Sequence, residues 1–292
     1  MYKYYQGNGK KIITIDDYMV HQHSWQRVNH YEDADFLWKI NANQKVFDTL
    51  TGDQIINIYP NSEILTNKME ASFYLRKFIP TSEIVYNGKP RRCQSEYVIV
   101  KPFTSFGGQG IEIVKNDECY VDTPCVVQEF IKYPRLFEGR KYDLRTYVLL
   151  KEDYSIYTFE KSFIRTATNL HSSTDLSPQT QITNITINPE GIRTVIDTPD
   201  ELILKNTDVF NSVKNELTGF DIDCHYFQCF GVDYIQDVKG KYWLIEVNQN
   251  PGIIKEIKPK LINDLLNLTV NEYFPLVNFS SKLGFVESHR QN

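Results

Sequence analysis

Between Cys229 and Gly252 the chain reads CFGVDYIQDVKGKYWLIEVNQNPG. Two apolar, strand-like runs flank Lys239-Gly240, read here as a two-residue hairpin turn. That turn sets Val238 opposite Lys241 and Asp233 opposite Glu246, with Asn248 on the same face two residues on. Facing carboxylates in apolar company repel each other and are costly to bury unpaired. A cation between them removes both penalties. Oxygen donors with an amide suit Mg²⁺, which takes a few protein ligands and fills the rest with substrate phosphates and water. The alternative is a salt-bridged surface hairpin.

A chain of 292 residues with 41% hydrophobic content can bury a large core, as one domain or as two to three lobes. Its formal charge of −5 argues against a nucleic-acid partner, although a local basic cleft fits within an acidic total. The cysteines Cys93, Cys119, Cys125, Cys224 and Cys229 are odd in number and form no C-x-x-C, so buried reduced thiols are expected. No run approaches the ~18 apolar residues of a membrane span, and the start, MYKYYQGNGKK, has no apolar signal region. No membrane partner is expected, and the expected compartment is the cytoplasm. Usage rich in Asn, Ile, Lys and Tyr fits an AT-rich genome, such as a protist's or a large DNA virus's; the cytoplasm would then be a host's if the chain is viral. His21, His23 and His30 lie close together without carboxylates at ligand spacing and read as a solvent-facing loop.

Helical spacing of Ile64, Leu65, Met69, Phe73 and Leu75 predicts a helix that starts at Asn61 or Ser62. SEYVIVKPF, IEIVK, CVVQEFI, RKYDLRTYVLL and YSIYTFEKSFIR read as strands, with a helix-like stretch around 199–225 and an amphipathic helix in KPKLINDLLNLTV. Hairpins interleaved with helices predict an α+β (mixed α/β) fold and not a doubly wound parallel sheet.

Two further constellations carry chemistry. VKPFTSFGGQGIEIV places Gly107, Gly108 and Gly110 between strands, after Lys101. No Walker lysine follows the glycines, but such a flap can cover a triphosphate with backbone N–H groups while Lys101 reaches a phosphate. An ordinary Gly-rich hairpin with a snorkelling lysine is the alternative. In GRKYDLRTYVLL, period two puts Lys141, Asp143 and Arg145 on one face. That face either meets water or lines a charged pocket, where Arg145 suits a phosphate and Asp143 a cation or a ribose hydroxyl.

In this order the pieces resemble the ATP-grasp fold and, more narrowly, the tubulin–tyrosine ligase family. The resemblance runs from about Lys68 to Pro251 through YVIVKP, SFGGQGI, VVQEFI, GRKYDLRTYVLL, FIRTAT, ITNITIN, FGVDYI and YWLIEVNQNPG. It implies a short N-terminal domain over 1–60, a central ATP-grasp lobe with the flap over 61–130, and a C-terminal lobe with the metal site over 131–292. Lys68, Lys101 and Gln109–Gly110 would lie at the nucleotide phosphates. Gln128, Glu129, Phe130 and Ile131 would form the hinge that reads adenine. Lys141 and Asp143 would lie along the nucleotide. Arg145 and Arg165, with Lys141, would serve the transferred phosphate. Thr183 and Asn184 match the family's Thr-Asn pair, and Asp233, Glu246 and Asn248 its magnesium triad.

The implied activity is ATP- and Mg-dependent ligation of a free amino acid to a protein carboxylate through an acyl-phosphate, with tubulin the first acceptor to consider. The alternatives are a ligase for a small molecule or peptide, and a non-catalytic binding protein that kept the fold. Gln109 stands where the family's flap carries Arg or Lys, and Gln181 where it carries His. Ile185 and Thr186 replace the Tyr-Ser or Tyr-Ala of glutamate-adding relatives, with Pro189 at the position of their lysine. These departures touch the amino acid and the acceptor, and leave the ATP chemistry intact.

Overall fold

The computed structural model describes residues 1–7, 15–38, 44–103, 108–276 and 283–288. The flap residues Thr104–Gly107 lie outside them. Four short strands, β1 (Lys3–Gln6), β2 (Gln26–Arg27), β3 (Phe36–Trp38) and β4 (Ile55–Ile56), pair in parallel. The predicted helix after them is split into α1 (Glu63–Thr66) and α2 (Lys68–Tyr74). Asn67 is the reason: its backbone is extended, and its side-chain oxygen accepts from the N–H groups of Met69 and Glu70. A capping asparagine thus outcompetes helix continuation.

A four-stranded antiparallel sheet follows, in the order β5 (Ser82–Val85), β8 (Cys125–Glu129), β6 (Tyr97–Pro102), β7 (Glu112–Lys115). One face buries Val98, Val127 and the thiols Cys93, Cys119 and Cys125. All five cysteines are free and buried, as their pattern predicts.

The larger sheet is built on β9 (Leu136–Phe137), β10 (Arg140–Lys151), β11 (Ile156–Phe159) and β12 (Lys161–Thr166). After α3 (Pro178–Gln181) come β13 (Arg193–Asp197), α4 (Asp200–Asn211) and α5 (Lys214–Leu217); no helix continues to 225. Then come β14 (His225–Gln236), β15 (Tyr242–Asn248), α6 (Lys258–Leu268), α7 (Val270–Tyr273) and β16 (Phe285–Glu287). Its main order is β13-β12-β10-β14-β4-β3-β1-β2, so the N-terminal strands extend the same sheet by pairing β4 with β14.

Period-two alternation in β10 divides its surroundings. Leu144, Val148 and Leu150 share a core with Leu202, Val209 and Phe210 of α4. On the other face, Tyr147 and Leu149 pack with Leu261, Ile262 and Leu265 of α6 and with Tyr4, Phe36 and Trp38 from the N-terminal strands. Toward its start the same face carries Lys141, Asp143 and Arg145 in place of apolar residues. The sheet is therefore mixed, parallel among its N-terminal strands and antiparallel elsewhere, with helices on both faces, and the fold is α+β of the mixed α/β kind. Among the described residues no helix is long and apolar enough to cross a membrane. The loop expected around the three histidines is instead partly a wide helical turn, Asp17–Gln22, and His23 at its end is buried, while His21 and His30 are exposed.

Candidate active site

Strand register alone gathers the charged residues. Asp143 lies opposite Arg165, Arg145 opposite Asp233, and Asp233 opposite Glu246. Arg145 grips Asp233 through Nε and Nη2, each at 2.7 Å. Arg165 bonds Asp143 at 2.6 Å and Asp233 at 2.8 Å, and the Thr183 hydroxyl donates to the second oxygen of Asp143. All five side chains are buried or nearly so, which is tolerable because each charge faces an opposite one with good geometry. The two arginines outweigh burial and hold the Asp233 carboxyl well below the usual carboxylate range.

Glu246 and Asn248 complete this face. The Asn248 amide donates to Asp233 at 3.3 Å and to Glu246 at 3.0 Å. Glu246 keeps 43% of its side chain exposed to the cleft. Protein crowding and the charge of Asp233 still push its carboxyl above the usual range. The turn behind this alignment differs from the two-residue reading. Asp237, and not Val238, pairs with Lys241, through an N–H···O bond of 3.0 Å, leaving Val238, Lys239 and Gly240 as a three-residue loop with Gly240 at φ +88°. That register alone would set Ile245 opposite Asp233. A bulge beside Asp233 and Tyr234 absorbs one residue and returns Glu246 to that place.

The four-stranded sheet supplies the opposite wall. Its cleft-facing side carries Lys101, whose ammonium donates to Gln128 at 2.7 Å. Burial pushes Lys101 down to about 8, with Lys68 adding to the effect and Glu246 opposing it. Lys68 opens α2 and reaches the Pro102 carbonyl at 3.1 Å. Lys141 is 3% exposed and lies 4.0 Å over the Phe130 ring, with no carboxylate in salt-bridge contact among the described residues. Burial, then the charge of Lys101, pushes it down to about 7. Three ammonium groups thus share a cleft whose acids are mostly committed to arginines.

The remaining expected site residues are placed around this core. Glu129 ends β8, where its carboxylate accepts from Gln94 N–H at 2.8 Å, and Phe130 and Ile131 begin the crossing to the large sheet. Gln109 and Gly110 lie exposed at the end of the flap, with Gly110 at φ +68°. Gly108 sits so near Ile187 that a Cβ would come within 2.8 Å of its Cδ1, and 3.4 Å from the Cβ of Asn184. Asn184 caps its own turn by accepting from Thr186 N–H at 2.9 Å.

Sequence reasoning missed three contributors. Gly231 opposes Asn248, and a Cβ there would meet Pro251 at 2.6 Å and Arg145 at 3.4 Å, so this glycine makes room for the guanidinium. The Tyr147 hydroxyl donates to the Gly252 carbonyl at 2.9 Å and anchors the loop after Asn248. Arg193 lies opposite Arg165. Only Gly231 had a signal, a glycine within a strand-like run.

Among the described residues no group of three or more His, Cys, Asp or Glu side chains is arranged to hold a metal ion. The donor set still fits Mg²⁺ in one way. Glu246 and the side-chain oxygen of Asn248 are not claimed by arginine hydrogen bonds among the described residues, and the raised carboxyl of Glu246 marks a place that a cation stabilises. Such a cation would take most of its ligands from phosphates and water, because Asp233 is already shared between two arginines.

The profile of the "Tubulin-tyrosine ligase family" matches residues 19–194, more than half of the chain. The chain belongs to the tubulin–tyrosine ligase family. A second profile, "YheC/D like ATP-grasp", matches residues 117–273, which span the ion-paired strands and the Asp233–Glu246 hairpin, so the fold is ATP-grasp. Similar proteins include "Tubulin polyglutamylase ttll-5" of Caenorhabditis elegans, 25% identical over 84% of this chain and 40% of that protein. "Probable tubulin polyglutamylase TTLL2" of Homo sapiens is 24% identical over 84% of this chain and 46% of its own length. The chain therefore spans less than half of the length of these family members.

Proposed function

We propose that this family member is an ATP- and Mg-dependent ligase that joins a free amino acid to a carboxylate of a protein acceptor. The observation that carries the proposal is the convergence of cations from both walls of the cleft. Lys101, bonded to an amide, and Lys68 beside it come from the small sheet and α2, and Lys141, stacked on a ring, shares its face of the large sheet with Arg145 and Arg165, which carboxylates hold rigidly. Burial works against both Lys101 and Lys141 in their charged form, and a triphosphate offsets that cost. Asp143 and Asp233 hold the arginines in place, so that the guanidinium groups meet a transferred phosphate with little reorganisation. Phosphoryl transfer to the acceptor carboxylate gives an acyl-phosphate; the amine of the amino acid attacks its carbonyl carbon, and phosphate leaves. Glu246 and Asn248, with Asp233, would hold Mg²⁺, which shields phosphate charge when bound. In this reading residues 61–130 and 131–292 form the two lobes that close on the nucleotide.

The names of the relatives favour tubulin as acceptor and glutamate as the added residue. Ile185, Thr186, Pro189 and Gln181 differ from the pattern of glutamate-adding relatives, so the amino acid is tested without that assumption. The protein is incubated with Mg·ATP, the twenty amino acids and candidate acceptors, tubulin included, and the acceptors are weighed by mass spectrometry. Mass added as one residue or a chain, with release of ADP, supports the proposal. Ligation that persists in Glu246→Gln removes its metal arm, and no ligation with any acceptor, alongside no nucleotide binding, overturns it.

A further inference from the structure

The large sheet does not end at Arg165. On the same face β12 continues through Phe163 to Lys161, and β13 lies beside it with Arg193 opposite Arg165 and Val195 opposite Phe163. Phe163, Val195, Ile254 and Ile257 form the apolar floor of a groove of about 560 Å³, which adjoins the ion-paired cluster at its Arg193 end. The four residue steps from Arg165 to Lys161 are about 13 Å in a strand, the length of about four extended residues.

The cations in this groove are not equivalent. Lys161 is paired with Asp197 and Lys260 with Asp264 at 2.7 Å. Arg193 has no carboxylate partner among the described residues: its guanidinium donates to the backbone carbonyls of Asn188 at 3.3 Å and Pro189 at 2.9 Å. It stands directly across from Arg165, whose charge is already met by Asp143 and Asp233, so at this end of the groove Arg193 is the cation held by backbone carbonyls and by no carboxylate among the described residues. The groove's acids are Glu160, 3.8 Å from the Lys260 ammonium, and Glu256. A run of acidic residues along the groove therefore finds a cation without a carboxylate partner only at Arg193, among the described residues, and meets Glu256 beyond it.

Resting on the ligase reading above, we propose that this groove is the acceptor subsite. It takes an extended polypeptide segment with one carboxylate at Arg193 and large apolar side chains over Phe163, Val195, Ile254 and Ile257. The acceptor it selects is a single acid in apolar company, and not a polyacidic tail. The carboxylate is thereby held next to Arg165, at the end of the groove where the phosphate-binding cluster begins.

The test uses the full chain and a library of labelled tetrapeptides in which Glu and a large apolar residue occupy each position in turn, with tetraglutamate as the comparison. Fluorescence anisotropy is expected to find mixed peptides bound more tightly than tetraglutamate. Arg193→Gln should weaken them about tenfold or more, as loss of a charged hydrogen bond does, with partial recovery in Arg193→Lys. Ile254→Asp provides a second variant that leaves the Arg193 loop bonds in place, and it should weaken the same peptides. Thermal stabilisation by ATP should be unchanged in Ile254→Asp, a position outside the phosphate cluster. Equal binding by wild type and Arg193→Gln, tightest binding of tetraglutamate, or no binding of any peptide overturns the subsite. If ATP gives no stabilisation while peptide binding still depends on Arg193, the ligase reading fails and the groove stands.

Discussion

Arg145 holds Asp233 with both arms of its guanidinium at 2.7 Å, across two strands paired in antiparallel register. Arg165 adds a third contact at 2.8 Å, so one carboxylate ties three strands together through side chains. Asp233→Asn keeps the shape and removes the charge that both arginines face. Breaking a buried pair of this kind costs about 3–5 kcal/mol. Urea unfolding at pH 7 should show a loss of that order, and Arg145→Met a loss of similar size. The two losses should sum to more than the double variant loses, since the residues share a contact. Because the arginines favour the ionised carboxylate of Asp233 and lower its pKa in the folded state, its contribution is present above the unfolded value of about 4 and is lost as pH falls toward the folded value. The wild-type advantage should therefore be flat from about pH 5 to about 9 and shrink only in acid.

Lys141 and Lys101 are shifted in the same direction for the opposite reason, because in them the charged form is the disfavoured one. Burial lowers them to about 7 and about 8, below the ~10.4 of an unfolded lysine. Between these values the unfolded chain binds more protons, so the stability of the free protein should rise with pH from about 7 to about 10. Bound phosphates restore the ammonium form and should abolish that rise. Calorimetry of ATP binding at about pH 8, in buffers of different ionisation enthalpy, should detect proton uptake. Lys141→Met should stabilise the free protein yet weaken ATP; weaker stability with unchanged ATP affinity would remove the phosphate role.

Glu246 gives a prediction with two readouts. Its half-exposed carboxyl is crowded and faces Asp233, so Glu246→Gln should leave the melting temperature of the free protein unchanged or slightly higher. If it holds Mg²⁺, the extra stabilisation that Mg²⁺ adds to ATP alone should vanish in the variant. A melting temperature that drops sharply without ligand would assign Glu246 to structure.

The charged face was legible because a strand has period two, and Lys141, Asp143 and Arg145 follow it through an otherwise apolar run. Pairing Asp233 with Glu246 was also legible, although the sequence argument reached it through the wrong turn. A three-residue loop and a bulge shift the register in opposite directions, and only their sum is visible in spacing. What spacing does not carry is partner choice. Nothing local to Asp233 states that two arginines from β10 and β12 will claim it before any cation does. Arg193 was equally silent, because its importance comes from lying opposite Arg165, and the register of two strands separated by a long loop is not visible in spacing. The break at Asn67 was hidden for a different reason: apolar spacing continues through it, and the capping preference of one asparagine wins locally. The N-terminal strands join the large sheet through the two residues of β4, too short a segment to announce its pairing.

Behind the site, Asn206 of α4 is fully buried and bonds three strands at once. Its amide nitrogen donates to the Thr146 and Thr158 hydroxyls, each at 3.2 Å, and its oxygen accepts from Tyr234 at 2.8 Å. Thr146 and Tyr234 follow Arg145 and Asp233 directly, so this network fixes the backbone from which the ion pair projects. Asn206→Leu fills much of the volume but strands a buried tyrosine hydroxyl and two threonine hydroxyls, at about 1–3 kcal/mol for each group left unsatisfied. Urea unfolding should show a loss of at least about 2 kcal/mol, given that the threonine hydroxyls can rotate to other acceptors. Thr146→Val with Asn206→Leu should recover part of it, because removing both partners of a buried hydrogen bond is cheaper than removing one. If the double variant is weaker than the sum of the single ones, α4 is held by packing of Leu202, Val209 and Phe210 alone and the polar network adds no stability of its own.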